Sequence, residues 1–227
     1  MTATAIRHFV ALPIGMTAAY LVVRQCRKPA GWLGRRLARA MNASHARLTT
    51  WGLGHLHIGP DWRILDIGCG GGQTIRSMAT LAPAGRIEGI DYSPASVAVA
   101  RDTNADLIAS GRVAIQQASV SSLPFSDASF DLITAIETHY YWPELVRDLR
   151  EVLRVTKPGG RVAIIAEAYR GRPMDWLYLP VMRGLLGSTY LSLDEHRTAL
   201  ADAGFSDVDI HAERSRGWMC TVGVRPR

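Results

Sequence analysis

From residue 63 onward, short apolar runs alternate with stretches of helical period, and this alternation restricts the chain to a mostly parallel sheet with helices on both faces. Strands are predicted at 63–67, 86–90, 112–116, 130–136 and 161–167, and helices at 72–81, 94–109, 142–155 and 193–203. The run Lys157-Pro158-Gly159-Gly160 predicts a turn ahead of the fifth strand. After Gly204 two further runs, FSDVDIHAER and GWMCTVGV, are close enough to pair with each other. An antiparallel pair closing a parallel sheet is a topological signature. The expected class is therefore a three-layer, doubly wound α/β fold. No internal repeat or low-complexity tract interrupts it.

A chain of 227 residues has room for one such domain with an extension. Its 48% hydrophobic and 20% charged residues exclude disordered and collagen-like readings. Cysteines at 26, 69 and 220 show no C-x-x-C spacing, so neither a disulfide framework nor a metal site is expected, and a reducing, cytoplasmic compartment is. The formal charge of +6 is unevenly spread. Residues 1–60 hold eight of the 26 bases and none of the 20 acids, which leaves 61–227 at a formal −2. A near-neutral body argues against nucleic acid as a partner and moves the question to the basic arm.

Two units follow: an N-terminal helical arm at 1–60 and a ligand-binding body at 61–227. The apolar run at 9–23 (FVALPIGMTAAYLVV) is shorter than the roughly 20 residues of a bilayer-crossing helix. It is followed by RQCRKP instead of a small-residue cleavage site, so export is not expected. Two readings stay open, a weak membrane-surface contact through residues 1–28 and a helix packed on the body or over its ligand cleft. The second is preferred, because apolar runs this short are more often core. Residues 32–50 predict an amphipathic helix with Leu33, Leu37, Met41 and Leu48 near one face and solvated arginines on the other.

The strongest local signal is ILDIGCGGG at 64–72, an apolar strand that ends in a glycine-rich turn opening a helix. Glycines let a ligand approach the backbone closely, and the helix start offers unpaired N–H groups. Asp91 ends the second strand, where a carboxylate can accept from both hydroxyls of a ribose. A dinucleotide fingerprint would need a third glycine at position 73, and Gln73 stands there. A nicotinamide-dependent oxidoreductase is thereby disfavoured.

Four motifs in order, LDIGCGGG, GIDYS, LPFSDASFDLI and LREVLRVTKPGGRVAI, resemble the class I S-adenosylmethionine-dependent methyltransferases. The likeness is to the small-molecule branch similar to the ubiquinone and menaquinone biosynthesis enzymes, and it covers about residues 62–170 well. It implies a seven-stranded sheet with an antiparallel last strand, S-adenosylmethionine as cofactor and S-adenosylhomocysteine as product. It places Asp66, Gly68, Cys69 and Gly70 around the methionine part, Asp91 on the ribose and Tyr92 against the adenine. Ile136 and Glu137 are implied to face the methionine end. Where family members often carry an aspartate for the adenine amino group, this chain has Ser119, so backbone groups at Ser119 and Val120 are expected to share that role. Residues 169–191, rich in Trp, Tyr, Leu and Met, match an insertion that usually caps the acceptor site.

The implied reaction is methyl transfer to a small, apolar or aromatic molecule, at oxygen, nitrogen or carbon. Holding the acceptor in line supplies most of the acceleration, and a base helps where a proton must leave. The candidate catalytic residues are His139 as base, Glu137 to orient it or to pair with the cofactor's amino group, and Tyr140, with Tyr141, to shape the acceptor pocket. His45 and His196 are expected to be structural. A non-catalytic binding protein on the same scaffold stays open through Ser119, and the number of subunits is open too.

Overall fold

The computed structural model describes residue 25, residues 27–172, residues 175, 176, 180 and 184, and residues 187–227. The apolar run at 9–23, Cys26 and much of the expected cap lie outside the described residues.

The first two described helices are α1 (Gly31–Ser44) and α2 (Ala46–Leu53). The body follows as β1 (Arg63–Ile67), α3 (Gln73–Leu81), β2 (Arg86–Asp91), α4 (Pro94–Thr103), α5 (Ala105–Ala109), β3 (Val113–Gln117), β4 (Phe130–Ile136), α6 (Leu145–Val155), β5 (Thr156–Ala166), α7 (Leu193–Ala203), β6 (Ser206–Glu213) and β7 (Trp218–Val224). A short 3₁₀ turn, His139–Tyr141, joins β4 to α6. The strands form one seven-stranded sheet in the order β3-β2-β1-β4-β5-β7-β6. The first five are mutually parallel and β7 runs antiparallel to both neighbours, as the terminal strand pair implied.

Alternation along the central strands builds two cores from one sheet. Leu65, Ile67, Ile133 and Ile164 face α6 and α7, where Leu149, Val152 and Leu200 meet them. Ile64, Leu132, Ala163 and Ile165 face the other way, onto Leu48 and Leu53 of α2, Ile75 and Met78 of α3, and Ala100 of α4. Burial on both faces explains why these strands read as unbroken apolar runs. The chain order reverses at β1, with β2 on one side and β4 on the other, so the carboxyl edge there is the crevice where ligands bind in such sheets.

Three local expectations change. The helix foreseen at 94–109 breaks at Asn104, whose buried side chain donates to the carbonyls of Ala100 (2.9 Å) and Gly72 (3.0 Å) and so ties the break to the glycine loop. Lys157–Gly160 is not a free turn but the irregular start of β5, pinned by Lys157 Nζ at 2.8 Å from Asp131. On α1 the buried positions are Gly34 and Ala38, whereas Leu33 is exposed and Trp32 is 67% exposed. Gly34 is packed on the backbone of Pro29, so a small residue here lets α1 close on the segment that leads into it. Among the described residues no helix is long and apolar enough to cross a membrane.

Candidate active site

A cavity of about 420 Å³ opens at the carboxyl edge of β1, β2 and β4 and is roofed by residues of α1 and α2. The loop after β1 forms its floor. Gly68 takes φ +74, and a Cβ there would strike the Thr138 side chain. Gly70, at φ +53, faces open space, its hypothetical Cβ meeting nothing nearer than the Gly68 carbonyl at 4.0 Å. The loop is clamped from two sides: Asn42 of α1 donates to the Gly71 carbonyl (3.0 Å) and Asn104 to that of Gly72. Such a bare, fixed backbone at the start of α3 is what a nucleoside-bearing ligand needs for close approach.

Two carboxylates stand beside this loop. Asp91 is buried and accepts from Gly70 N–H (3.0 Å) and Ser93 N–H (2.8 Å), so it fixes the loop while facing the cavity. Burial raises its pKa against the lowering effect of those two bonds. Asp66 accepts from the Thr134 hydroxyl (2.7 Å), and burial pushes it up to about 7.

Tyr92 lines the same side, 38% exposed, with its hydroxyl donating to the Arg27 carbonyl and Lys28 Nζ 5.3 Å from its ring centroid. Ser93 Oγ, which caps α4, also donates to the Pro29 carbonyl at 2.5 Å. The segment leading into α1 is therefore docked on the end of β2. Ser119 and Val120 close this half of the cavity, with Ser119 Oγ accepting from Ser121 N–H (3.3 Å).

The other half lies over β4 and β5. Ile136 lines it, followed by Glu137, which takes the left-handed φ of +58. Its Oε1 accepts from Glu167 N–H (2.5 Å), and burial together with the Glu167 carboxylate pushes it up to about 8. Thr138, Tyr141 and Trp142 continue the wall. His45, at the junction of α1 and α2, reaches the same place, with Nε2 3.9 Å from Glu167 Oε1. One donor atom each from His45, Glu137 and Glu167 lie within 4.8 Å of one another, a set whose spacing could also hold a metal ion.

Of the residues singled out in the sequence, Asp66, Gly68, Cys69, Gly70, Asp91, Tyr92, Ser119, Val120, Ile136 and Glu137 all line the cavity. His139 and Tyr140 do not, and the roles assigned to them are corrected. His139 is fully buried with its Nε2 3.0 Å from Nε2 of His196, and burial holds its pKa well below the usual value. A base must reach its proton, and this ring points into the interior between β4 and α7. Tyr140 is buried behind the wall; its hydroxyl accepts from Ala168 N–H (3.1 Å) and lies 3.2 Å from Glu137 Oε1. It supports Glu137 instead of shaping the pocket. His45 and Asn42 went unrecognised because nothing local in the arm marks which side chains meet the body.

A family model described as a methyltransferase domain matches residues 65–164. The ubiquinone/menaquinone biosynthesis C-methyltransferase UbiE of Geotalea daltonii is 32% identical over 173 residues, covering 67% of this chain and 74% of that protein. The chain belongs to the class I S-adenosylmethionine-dependent methyltransferases. This methyltransferase is also 33% identical over 170 residues to the 27-O-demethylrifamycin SV methyltransferase of Amycolatopsis mediterranei, covering 70% of itself and 59% of that protein. It spans about half the length of several curated relatives that it matches. Its fold superimposes with a TM-score of 0.67 on the geranyl diphosphate C-methyltransferase of Streptomyces coelicolor A3(2), at 18% identity, covering 90% of this chain and 87% of that one.

Proposed function

We propose that this chain transfers a methyl group from S-adenosylmethionine to a small apolar or aromatic molecule. The supporting observation is that one continuous cavity joins the Gly68–Gly72 loop and Asp91 at one end to Glu137, Tyr141 and Trp142 at the other. When bound, the cofactor supplies an electrophilic methyl on a sulfonium. The chain's residues do the rest: Asp91 accepts from the ribose hydroxyls, the bare Gly70 backbone admits the ligand, and Asp66 and the β4 end receive the amino-acid portion. Tyr141 and Trp142 offer flat apolar surface to the acceptor. Residues 27–50 close the cavity from above, so the arm excludes water while acceptor and methyl donor are held together.

Calorimetric titration with S-adenosylhomocysteine tests this reading, with NADH as the control. Binding of the first and not the second, followed by transfer of labelled methyl into a metabolite extract, is the expected result. Absence of heat with S-adenosylhomocysteine sinks it.

The eight bases of residues 1–60 and the exposed Trp32 and Leu33 favour a second, compatible reading in which the arm touches an anionic membrane surface. Flotation of the full chain with anionic vesicles, weakened by Trp32→Ser/Leu33→Ser and by added salt, is its test.

A further inference from the structure

We propose that His45 is the general base of the acceptor site and that the acceptor is a small phenol. This rests on the methyl-transfer reading above. The sheet order divides the cavity: Asp91 and Tyr92 lie at the end of β2, on one side of β1, whereas Glu137 and Glu167 follow β4 and β5 on the other. His45 is on the β4–β5 side, partly exposed to the cavity, with Glu167 Oε1 3.9 Å from its Nε2. A proton arriving at Nε2 therefore creates a cation already within ion-pair range of a carboxylate, the arrangement that makes an imidazole an effective base.

Among the described residues that line the cavity, His45 is the one imidazole. His139 is buried away from the cavity. Glu137 faces the methionine end, and its Oε1 is already engaged by Glu167 N–H and the Tyr140 hydroxyl. An amine acceptor would arrive with a free lone pair and need no base during transfer, so a base placed here indicates a proton that must leave. The wall beside it is aromatic, formed by Tyr141 and Trp142, which suits a ring bearing that proton on oxygen. In the step, the phenolic O–H gives its proton to His45 Nε2 and the oxygen forms the new O–CH₃ bond. The CH₃–S bond of the donor breaks, and its electron pair stays on sulfur.

The test uses the full chain saturated with S-adenosylhomocysteine and titrated at neutral pH with 4-nitrophenol, whose ionised form alone is yellow. The native protein ionises the bound probe, and His45→Ala does so at least tenfold less, with affinity for S-adenosylhomocysteine within about twofold of native. In turnover with simple phenols, His45→Ala is slowed about a hundredfold and is rescued by added imidazole. Glu167→Gln lowers kcat for the phenol and leaves its KM unchanged. Equal ionisation in native and His45→Ala protein, or none in either, overturns the proposal while leaving cofactor binding intact. Label found on carbon, or turnover abolished by a chelator and restored by a divalent cation, overturns it as well. Failure to bind S-adenosylhomocysteine sinks the methyl-transfer reading itself.

Discussion

His139 and His196 face each other across the interior with their Nε2 atoms 3.0 Å apart, both rings almost wholly removed from solvent. Nδ1 of His196 lies 2.7 Å from the Ser192 carbonyl, which can only accept, so that nitrogen carries the proton. The neutral ring then presents a bare Nε2, to which His139 Nε2–H donates. Among the described residues His139 Nδ1 has no hydrogen-bond partner. Burial lowers both pKa values, and a neighbouring positive ring would lower that of His139 further.

This pair makes the fold acid-sensitive. Folded-state pKa values below the unfolded value mean that, as pH falls under about 6.5, the unfolded chain binds protons that the folded chain refuses. Each histidine then removes up to about 1.4 kcal/mol of stability per pH unit. Urea midpoints at pH 7 and pH 5 should fall more steeply in the native protein than in the double variant His139→Leu/His196→Leu. The raised pKa values of Asp66, Asp91 and Glu137 act oppositely, costing stability as pH rises from about 4 to 8, but they are shared by both proteins and cancel in the comparison. Parallel pH curves would refute the assignment.

Much of this architecture is legible in the sequence because it is written in local chemistry. The run Ile64-Leu65-Asp66-Ile67 must be buried on both faces, and the glycines after it permit only a turn that hugs a ligand. Asp91 announces itself as a carboxylate at the end of an apolar strand, one strand after the glycine turn. The placements of His139 and His45 are not legible, for the complementary reason. Whether a side chain in the turn after β4 points into the cavity or back toward α7 depends on the 3₁₀ geometry of His139–Tyr141 and on a partner 57 positions away. His45 reaches the site only because Leu48 and Leu53 dock α2 on the sheet, a contact spanning more than a hundred residues. The break at Asn104 was invisible too, since its reason is the Gly72 carbonyl and not its own neighbours.

Asp91→Ala should weaken S-adenosylhomocysteine binding by about 1–3 kcal/mol, roughly five- to 150-fold. The substitution removes the acceptor for two ribose hydroxyls and leaves Gly70 N–H and Ser93 N–H without their partner. Isothermal titration measures it directly, and unchanged affinity would mean that the nucleoside lies elsewhere.

Affinity for S-adenosylhomocysteine should also rise between pH 6 and pH 8. Asp66 and Glu137 titrate at about 7 and about 8 in the free protein, so both are substantially protonated at pH 6. The ligand's ammonium group favours their ionised forms, and binding must therefore release protons in that window. Calorimetry in buffers of different ionisation enthalpy counts those protons, and Asp66→Asn should reduce the number. A pH-independent affinity with no proton release would remove both carboxylates from contact with the amino-acid end.

Two of the three positive-φ glycines of the loop, Gly68 and Gly70, should fail in different ways when given a methyl group. Gly68→Ala drives a Cβ into the Thr138 side chain at a φ of +74, so both the turn and the wall of the cavity must shift. Its melting temperature should drop by several degrees, for a cost of about 2 kcal/mol or more. Gly70→Ala meets no protein atom within van der Waals contact, and its cost to folding is the left-handed backbone alone, about 1 kcal/mol. That methyl projects into the cavity beside the Asp91 carboxylate, where the ligand must pass. Gly70→Ala should thus remain folded, with a melting temperature close to native, and lose S-adenosylhomocysteine affinity by tenfold or more. If differential scanning calorimetry and titration instead show the two variants losing stability and affinity in the same proportion, the space above Gly70 is not where the ligand lies.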